Sequence, residues 1–463
     1  VNSKNENTFD SINPSNQKVW AKAALGGEFE TNKAVEAART AFDQGPWPKM
    51  TAQERASILY KIADKIENNI EELAETETLD MGKPISQSKG KDIPRTADNF
   101  RFFANYITMS ENEPLPMSDD FHIYTRYEPV GVTAAISPWN FPIMLASWKI
   151  APALAFGNTV VLKPAEQTPV SCFRLAQLAA EAGLPEGVLN VVHGYGPNSV
   201  GEYLTTHPDV DLVTFTGESN TGRSILKAVS STLKGVSFEL GGKGANIVFE
   251  DADLDSAVDW SIRAIFTNAG QVCLAGSRLY VHKKIYKEFL DRFINKANQM
   301  KVGDPLKKET EIGPLASKEH YDKVVSYLNL KSEENFTLQT GGIANGLWIK
   351  PTVLTNVNNQ MRVCRDEIFG PIVCVQEFKS EDEAVELAND TSYGLNAMLF
   401  TENVRRAHRV SGKLRAGTVW VNCFFIRDLR APFGGFGDSG IGREGGKYSK
   451  EFFTEPKAVV MKL

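Results

Sequence analysis

A cysteine and a glutamate lie in two sequence settings that could support covalent catalysis. Cys273 ends the run NAGQVC (268–273), a set of small and polar residues that follows a helical segment. Glu239 lies in the apolar run FEL (238–240) and precedes two glycines. A thiolate in a turn can be stabilised by backbone N–H groups, and a carboxylate in an apolar run is either an exposed strand residue or a group with a raised pKa. Cys273 could thus be a nucleophile and Glu239 its base, although a free cysteine is usually a buried structural residue.

Three further polar segments suit the binding of an oxyanion and a nucleotide. Asn140 stands among aromatic residues and prolines, where its side-chain N–H could stabilise an oxyanion or merely cap a helix. Lys163 and Glu166 follow an apolar run and could bind ribose hydroxyls or form a solvated loop. The turn 215–222 follows a strand and opens a helix, so a pyrophosphate could rest on the helix N-terminus. The G-x-G-x-x-G fingerprint is absent, and the turn alone is a weak signal.

The composition is that of an ordinary globular protein with more than one domain. The chain has 463 residues, of which 42% are hydrophobic and 23% charged, too many residues for one compact core. A net charge of −6 argues against nucleic-acid binding, since there is no basic excess to meet phosphates. The five cysteines include no C-x-x-C pair, which indicates neither a disulfide framework nor a metal site and favours a reducing cytoplasm. The longest apolar stretch, 141–156, contains Lys149 and two prolines and does not indicate a membrane span.

From residue 130 onward, short apolar runs alternate with helical runs. Strands are predicted at 130–136, 159–162, 189–192 and 212–215, and helices at 143–156, 170–182, 198–206 and 221–231. This alternation predicts a parallel sheet covered by helices on both faces. Ligands of such sheets bind beyond the carboxyl ends of the strands. Those ends lead into polar turns that suit a nucleotide site: 137–140, 163–166, 193–196 and 216–219.

A second series of strands and helices begins near Ala245 and predicts a second α/β domain. Its strands are predicted at 247–249, 279–281, 351–354, 372–378, 397–400 and 418–422. The cleft between the two domains would hold both Glu239 and Cys273. Nearer the N-terminus, helical spacing predicts two long helices, 51–79 and 85–110. Residues 111–129 end in an alternating pattern typical of a protruding strand, which could pair with another subunit.

Seven motifs, in one order, resemble those of the aldehyde dehydrogenase superfamily across essentially the whole chain. They are SPWNFP (137–142), KPAE (163–166), FTGE (215–218), FELGGK (238–243), NAGQVC (268–273), EIFGP (367–371) and PFGG (432–435). Each motif is moderately specific, and the ordered set is strongly so. The resemblance implies two doubly wound α/β domains, one a Rossmann-like cofactor domain and one catalytic, with a small β oligomerisation arm.

The implied boundaries divide the chain into three parts. The NAD-binding domain would comprise residues 1–113 and 129–238, and the catalytic domain residues 239–446. The oligomerisation arm would comprise residues 114–128 and 447–463. By resemblance, this arm bridges the subunits of a homodimer or homotetramer.

The resemblance also implies roles for the residues singled out above. The Cys273 thiolate would attack an aldehyde carbonyl, while Asn140 and the Cys273 backbone N–H hold the oxyanion. Hydride would leave to NAD, and Glu239 would activate the water that hydrolyses the thioester. The implied cofactor-binding residues are Ile136, Ser137, Trp139, Lys163, Glu166, Gly196, Phe215, Gly217, Glu218, Gly241, Glu367 and Phe369.

Within that set, the two ends of the dinucleotide have separate residues. Glu367 would bind the nicotinamide ribose and Phe369 would pack beside the nicotinamide ring. Trp139, Lys163 and Glu166 would line the adenosine half. Because a carboxylate at Glu166 would repel a 2′-phosphate, the resemblance favours NAD over NADP.

Arginines at the substrate entrance indicate a small aldehyde that carries a carboxylate. The run RDLR (427–430) and the segment DIPR (92–95) are similar to those of the 2-hydroxymuconic and 2-aminomuconic semialdehyde dehydrogenases. Arginine binds a carboxylate bidentately, and these substrates carry one far from the aldehyde. The first candidate is Arg427, the second is Arg95, and the alternatives are Arg101 and Arg430. Arginines are mostly exposed, so surface or interface roles are the competing interpretation.

Three other interpretations remain open. The first is a general or betaine-type aldehyde dehydrogenase, although two entrance arginines would repel the cation of betaine aldehyde. The second, a CoA-acylating enzyme, is disfavoured because Glu239 is present to activate water. The third is a catalytically silent structural protein on the same fold, against which the intact Cys273, Glu239, Asn140 and Lys163 argue.

Overall fold

The polypeptide forms two large sheets and two small ones, with helices packed around them. The computed structural model describes residues 7–109 and 119–463. The strands are β1 Thr8–Asn13, β2 Lys18–Ala24, β3 Phe121–Pro129, β4 Val132–Ile136, β5 Thr159–Lys163, β6 Leu189–Val191, β7 Leu212–Thr216, β8 Gly235–Glu239, β9 Ala245–Val248, β10 Arg278–His282, β11 Thr337–Ile343, β12 Ile349–Thr355, β13 Ile372–Phe378, β14 Asn396–Phe400, β15 Thr418–Val421, β16 Gly440–Ile441 and β17 Thr454–Lys462.

The helices cover the faces of the two large sheets and also form the N-terminal layer. They are α1 Glu28–Asp43, α2 Ala52–Asn68, α3 Ile70–Met81, α4 Ile85–Gln87, α5 Ile93–Met109, α6 Pro142–Ala155, α7 Val170–Glu181, α8 Val200–Thr206, α9 Ser219–Val229, α10 Leu254–Phe266, α11 Tyr286–Gln299, α12 Lys318–Asn329, α13 Lys331–Glu334, α14 Arg362–Arg365, α15 Glu381–Asn389, α16 Val404–Lys413 and α17 Gly446–Phe453.

The first large sheet has six strands in the order β16-β8-β7-β4-β5-β6, and every pairing is parallel except that of β16 with β8. Every residue of β4, β5 and β7 is buried. Alternate residues point to opposite faces. Ala135 and Leu162 join the core under α5, α6 and α7, whereas Ala134 and Val161 join the core under α1 and α8. The sheet is thus covered on both faces, as the continuous apolar runs predicted.

The second large sheet has seven strands in the order β11-β12-β13-β10-β9-β14-β15. All of its pairings are parallel except that of β11 with β12. The central strands β9, β10 and β14 are buried along their whole length. The two-domain α/β architecture is therefore confirmed, and β8 and β9 carry the chain from one sheet to the other.

Some N-terminal elements differ from the prediction. The predicted helix over 51–79 is two helices, α2 and α3, which meet at Asn69. The predicted helix over 85–110 is α4, a π-helical turn at Ser88–Asp92, and α5. The β1–β2 hairpin was not predicted, because the inward positions of β1 include the polar Ser11 and Asn13 rather than an apolar alternation. Ser11 is buried because its hydroxyl donates to the Asp80 carboxylate at 2.6 Å.

Two strands of the predicted arm form an antiparallel sheet, in which β3 pairs with β17 along its length. Residues 447–453 of the predicted β arm instead belong to helix α17. Residues 114–118 of the predicted arm lie outside the described residues. Two apolar side chains of β17, Val460 and Met461, are exposed in the single chain. The bridging role of this arm remains a prediction. Among the described helices, none is both long and apolar enough to cross a membrane.

Candidate active site

Cys273 follows a turn whose backbone is held in an uncommon conformation. After α10 ends, Asn268, Ala269 and Gly270 all adopt positive φ angles of 52°, 52° and 72°. A side chain at Gly270 would put its Cβ 2.1 Å from the Gly370 carbonyl oxygen, so only glycine fits there. Strained backbone of this kind persists only where the surroundings impose it, and it is concentrated at functional sites. The turn brings Cys273 to the cleft between the two sheets.

Asn140 lies directly against this turn. Its side-chain Nδ2–H donates to the Gln271 carbonyl at 3.0 Å, and the Asn268 amide donates to the Asn140 carbonyl at 2.9 Å. The residue is 3% exposed. A carboxamide has two N–H donors, so one remains to face the cleft. The structure thus brings Asn140 and Cys273 together, in an arrangement that could hold an oxyanion.

The resting Cys273 thiol is protonated at neutral pH. Burial raises the pKa of Cys273 to about 12, and the carboxylates of Glu367 and Glu239 act in the same direction. The Arg427 guanidinium and the residue's own backbone N–H oppose this rise. A thiolate is the reactive form, so the thiol needs a nearby base to take its proton.

Glu239, expected to act as the base in hydrolysis, ends β8 and acts electrostatically on Cys273. The side chain is 5% exposed, and neither carboxylate oxygen has a hydrogen-bond partner among the described residues. Burial, followed by the charge of Glu444, raises the pKa of Glu239 well above its ordinary value, whereas Lys149 and Arg427 lower it. A carboxyl group with a raised pKa can exchange protons near neutral pH.

Two residues of this cluster were missed by sequence reasoning. The buried Lys149 ammonium donates to the Glu444 carboxylate and to the Thr214 hydroxyl, both at 3.1 Å. Lys149 interrupts the apolar helix α6, and a charged residue in such a setting is the signal that could have found it. Glu444 lies 295 positions away in sequence and gives no comparable signal.

On the cofactor side, Glu367 is seated against the glycines that follow Glu239. The Gly242 N–H donates to Glu367 Oε1 at 2.8 Å. A Cβ at Gly241 would lie 2.2 Å from Glu367 Oε2, so the glycine allows this close approach. Burial raises the pKa of Glu367 to about 7. The structure therefore joins Gly241 and Glu367, two residues of the implied cofactor set, in one contact.

The adenosine-half candidates gather at the carboxyl ends of β4 and β5. Ile136 is the last residue of β4, and the N–H of Ser137 donates to the Lys163 carbonyl at 3.1 Å. The Ser137 hydroxyl is buried without a hydrogen-bond partner in the described part of the chain. Lys163 Nζ lies 3.4 Å from the Glu166 carboxylate. These groups supply both donors and acceptors for ribose hydroxyls.

The remaining candidates follow β6 and β7, and one of them opens a helix. Glu218 is the N-cap of α9 and makes no side-chain capping bond, so the first N–H groups of this helix are free for an anion. Phe215 packs against Gly217, where a Cβ would lie 2.4 Å from the ring. A Cβ at Gly196 would meet no atom within 4 Å. Glu218 and Glu367 also line one cavity of about 360 Å³.

Trp139 and Phe369 join the two halves of the implied cofactor site. Trp139 lies two residues beyond Ser137, and its ring centroid is 5.3 Å from that of Phe369 at an interplanar angle of 85°. Phe369 itself has a φ of 61°, a conformation that bulky residues rarely adopt. The contact sets Trp139 beside the residue expected at the nicotinamide end.

Two of the four candidate arginines face each other at the cysteine. The Arg427 guanidinium lies between two aromatic rings, 3.7 Å from the Phe433 centroid and 4.4 Å from the Trp148 centroid. Burial, followed by the charge of Arg95, lowers the pKa of Arg427 to about 10. The Nη2 atoms of both arginines are buried without a hydrogen-bond partner in the described ranges. Neither arginine forms an ion pair with any described residue.

The other two candidate arginines lie elsewhere. Arg101 pairs with Asp64 and Glu67 on the outer surface of the α2–α5 layer. Arg430 is exposed, and its Nε donates to the Asp428 carboxylate at 3.0 Å. Both arginines form ion pairs at the surface, and neither is among the groups that act on Cys273. Their assignment to the substrate site stays a prediction.

Comparison with known proteins assigns the chain to a family. The aldehyde dehydrogenase family matches residues 1–459, and the chain belongs to that family, as the seven motifs predicted. A 2-hydroxymuconic semialdehyde dehydrogenase from Pseudomonas sp. (strain CF600) is 47% identical, over 100% of this chain and 98% of that protein. A betaine aldehyde dehydrogenase from Bacillus subtilis (strain 168) is 44% identical, over 99% of this chain and 95% of that protein. A solved NAD+ complex of an aldehyde dehydrogenase from Bacillus cereus is 45% identical, with a TM-score of 0.98 over 100% of this chain and 95% of that one.

The protein is accordingly an enzyme, an aldehyde dehydrogenase. The two relatives are similar in identity, yet betaine aldehyde is a cation and a muconic semialdehyde is an anion. Overall identity therefore does not choose between these substrates, and the charges of the pocket must do so. Among residues 7–109 and 119–463, no cluster of three side chains could hold a metal ion.

Proposed function

We propose that this enzyme oxidises an aldehyde bearing a distal carboxylate, such as 2-hydroxymuconate or 2-aminomuconate 6-semialdehyde, with NAD+ as the hydride acceptor. The observation that carries the proposal is the pair Arg427 and Arg95. Arg95 acts on the charge of Arg427, and the Nη2 atom of each is buried without a hydrogen-bond partner in the described chain. Neither forms an ion pair with a described residue, although Asp98 and Asp428 act on Arg95, and Glu444 and Glu239 act on Arg427, at longer range.

Two nearby guanidinium groups whose Nη2 atoms lack hydrogen-bond partners are costly to the folded protein, and the carboxylates that act on them offset only part of this cost. A buried charge is normally paired, since the desolvation cost and the mutual repulsion are otherwise uncompensated. The stacking of Arg427 between Phe433 and Trp148 recovers part of that cost and fixes the plane of the guanidinium. The Nη2 atom of Arg427 still has no hydrogen-bond partner among the described residues. A carboxylate has the charge and the two acceptor oxygens that such a fork binds.

A third positively charged side chain lies near Arg95. Lys91, on the π-helical turn, has its ammonium 4.2 Å from the centroid of Phe425 in the entrance loop. Burial lowers the pKa of Lys91, the charge of Asp92 opposes this, and Lys83, Arg95 and Arg263 lower it further. Anions are attracted to a cleft lined by one sign of charge, and the effect weakens with salt. The same positive charges would repel the cation of betaine aldehyde.

The catalytic steps follow from the cysteine turn. The Cys273 thiol gives its proton to a solvent water, and its sulfur attacks the aldehyde carbon. The resulting oxyanion is held by the free Asn140 N–H and the Cys273 backbone N–H. Bound NAD+ supplies the acceptor for the hydride that leaves this carbon. Glu239 then takes a proton from the water that cleaves the thioester, and the acid is released. The aldehyde, NAD+ and water are thus converted to the acid, NADH and a proton.

The residues of the first sheet fit a dinucleotide. The unpartnered Ser137 hydroxyl, the Lys163–Glu166 pair and the free N–H groups of α9 offer ribose and pyrophosphate partners. Glu166 is partly exposed, and a carboxylate there would repel a 2′-phosphate, which favours NAD over NADP. The Bacillus cereus relative, solved with NAD+, supports the same choice.

Replacing Arg427 by alanine tests the proposal. Loss of a charge-assisted, partly buried hydrogen bond costs about 2–3 kcal/mol, so KM for 2-hydroxymuconate 6-semialdehyde should rise ~30- to 150-fold. Removal of Arg427 also raises the pKa of Cys273 and of Glu239, so kcat should change alike on all aldehydes, whereas the KM for a neutral aldehyde such as propanal should change little. Both substrates are measured by NADH absorbance.

The matched control is Arg430→Ala, which removes a paired arginine from the same loop. It should leave both substrates unaffected. Equal losses of Arg427→Ala on the anionic and the neutral aldehyde would contradict carboxylate recognition and favour the general aldehyde dehydrogenase.

A further inference from the structure

His320, near the start of α12, contacts Phe369, which is expected beside the nicotinamide, and Trp139, which is expected in the adenosine half. Its imidazole Nε2–H donates to the Phe369 carbonyl at 2.7 Å. Its ring centroid lies 4.9 Å from that of Trp139 and 5.9 Å from that of Phe369. The residue is buried, and no role for it followed from the sequence. His320 therefore fixes a carbonyl and two rings at once.

The carbonyl that His320 holds belongs to a residue in a strained conformation. Phe369 has a positive φ, which costs free energy unless neighbouring contacts impose it. The adjacent Gly370 packs against Val324 of α12, where an added Cβ would lie 2.9 Å from Cγ1. Helix α12 thus supports this turn at two points, one polar and one apolar.

The same segment also supports the cysteine turn. The N–H of Ala316 donates to Gln271 Oε1 at 2.9 Å, and Gln271 accepts the bond from Asn140 through its carbonyl. The two turns also contact each other directly, because the Gly370 carbonyl oxygen occupies the space beside Gly270. Residues 316–320, which we name the brace, therefore contact the turn that carries Phe369 and the turn that carries Cys273.

We propose that His320 is a positioning residue that couples the cofactor-side turn at Phe369 to the nucleophile turn at Cys273. The inference rests on the proposed binding of NAD+ at this site. The hydrogen bond aligns Phe369 and Trp139 before the cofactor arrives. Rigid pre-alignment lowers the ordering cost of binding. The brace then links the positions of Phe369 and Trp139 to the position of Cys273.

The protonation state of His320 suits this role. Burial lowers the pKa of His320 to about 4, which the hydrogen bond to Phe369 only partly offsets. The imidazole is therefore neutral at pH 7. The carbonyl can only accept, so Nε2 carries the proton and the ring adds no charge beside the nicotinamide.

Replacing His320 by alanine tests the inference without relying on turnover. We expect calorimetry to show about 10-fold weaker NAD+ binding, because the variant loses the hydrogen bond that supports the strained turn at Phe369. Binding of NAD+ should also change the rate at which iodoacetamide alkylates Cys273 in the wild type, and this response should be lost in the variant. The His320→Gln variant, whose amide N–H can reach the same carbonyl, should restore most of both.

The matched control is His282→Ala, which removes another buried histidine, packed 5.3 Å from Phe378 in the second sheet. It reports any general loss of stability and should leave NAD+ binding unchanged. If His320→Ala binds NAD+ as the wild type does and keeps the alkylation response, the inference is overturned. It is equally overturned if His282→Ala or His320→Gln weakens binding as much as His320→Ala. A wild type that binds no NAD+ would instead contradict the proposed function.

Discussion

The Cys273→Ala variant is expected to lose at least ~10⁴-fold in turnover with every aldehyde, because removing a covalent nucleophile leaves only binding and oxyanion stabilisation. The substitution shortens one side chain in the cleft and leaves the Asn140 and Glu367 contacts in place. NAD+ affinity should therefore be retained. Steady-state NADH formation and calorimetry of NAD+ binding measure the two quantities separately.

The Cys172→Ala variant provides the control for a lost cysteine. Cys172 is buried in α7 and faces the core of the first sheet rather than the cleft. Its loss should leave turnover unchanged. Substantial NADH formation by Cys273→Ala would show that the nucleophile is another group.

The Glu239→Gln variant should separate the two halves of the reaction. The amide cannot take a proton from water, so hydrolysis of the thioester should slow by ~10²- to 10⁴-fold. Hydride transfer precedes that step, so one equivalent of NADH per active site should appear in a burst before the slow phase. Mass spectrometry of the quenched enzyme should find the acyl group on Cys273. A variant with no burst and no acyl adduct would contradict the role of Glu239 in the second step.

The pH dependence of the wild type should reflect the same residue. Glu239 acts as a base only when deprotonated, and burial with the nearby Glu444 raises its pKa. The rate of thioester hydrolysis should therefore rise with pH through a value above the usual range of a carboxyl group. In Glu239→Gln this limb of the profile should disappear.

The sheets could be predicted because strands buried on both faces consist of apolar residues throughout. The predicted strand 212–215 is observed as Leu212–Thr216, and the predicted 372–378 as Ile372–Phe378. Cys273, Glu239 and Asn140 could be singled out because each lies in one of the seven motifs that resemble the family's. Their meeting in one cleft follows from the order of the strands.

The supporting residues could not be predicted, because their partners are distant in sequence. Lys149 and Glu444 meet across 295 positions, and His320 reaches Phe369 across 49. Arg95 and Arg427 belong to a helix and a loop, and only the fold shows that the Nη2 atom of each has no hydrogen-bond partner in the described part of the chain. The same reason explains why Arg101 and Arg430 looked equivalent to them in sequence: nothing local indicates that carboxylates on the surface already satisfy both.

Carboxylate recognition is tested most directly by giving the wild-type enzyme two substrates that differ only in that group. The pair is 2-hydroxymuconate 6-semialdehyde and its methyl ester, compared by kcat/KM at fixed NAD+ and low salt. Because the ester removes the charge that Arg427 and Arg95 would bind, the acid should be favoured at least ~30-fold. The preference should shrink as salt screens the entrance. Equal values for the two substrates, or a preference for the ester, would contradict the proposal.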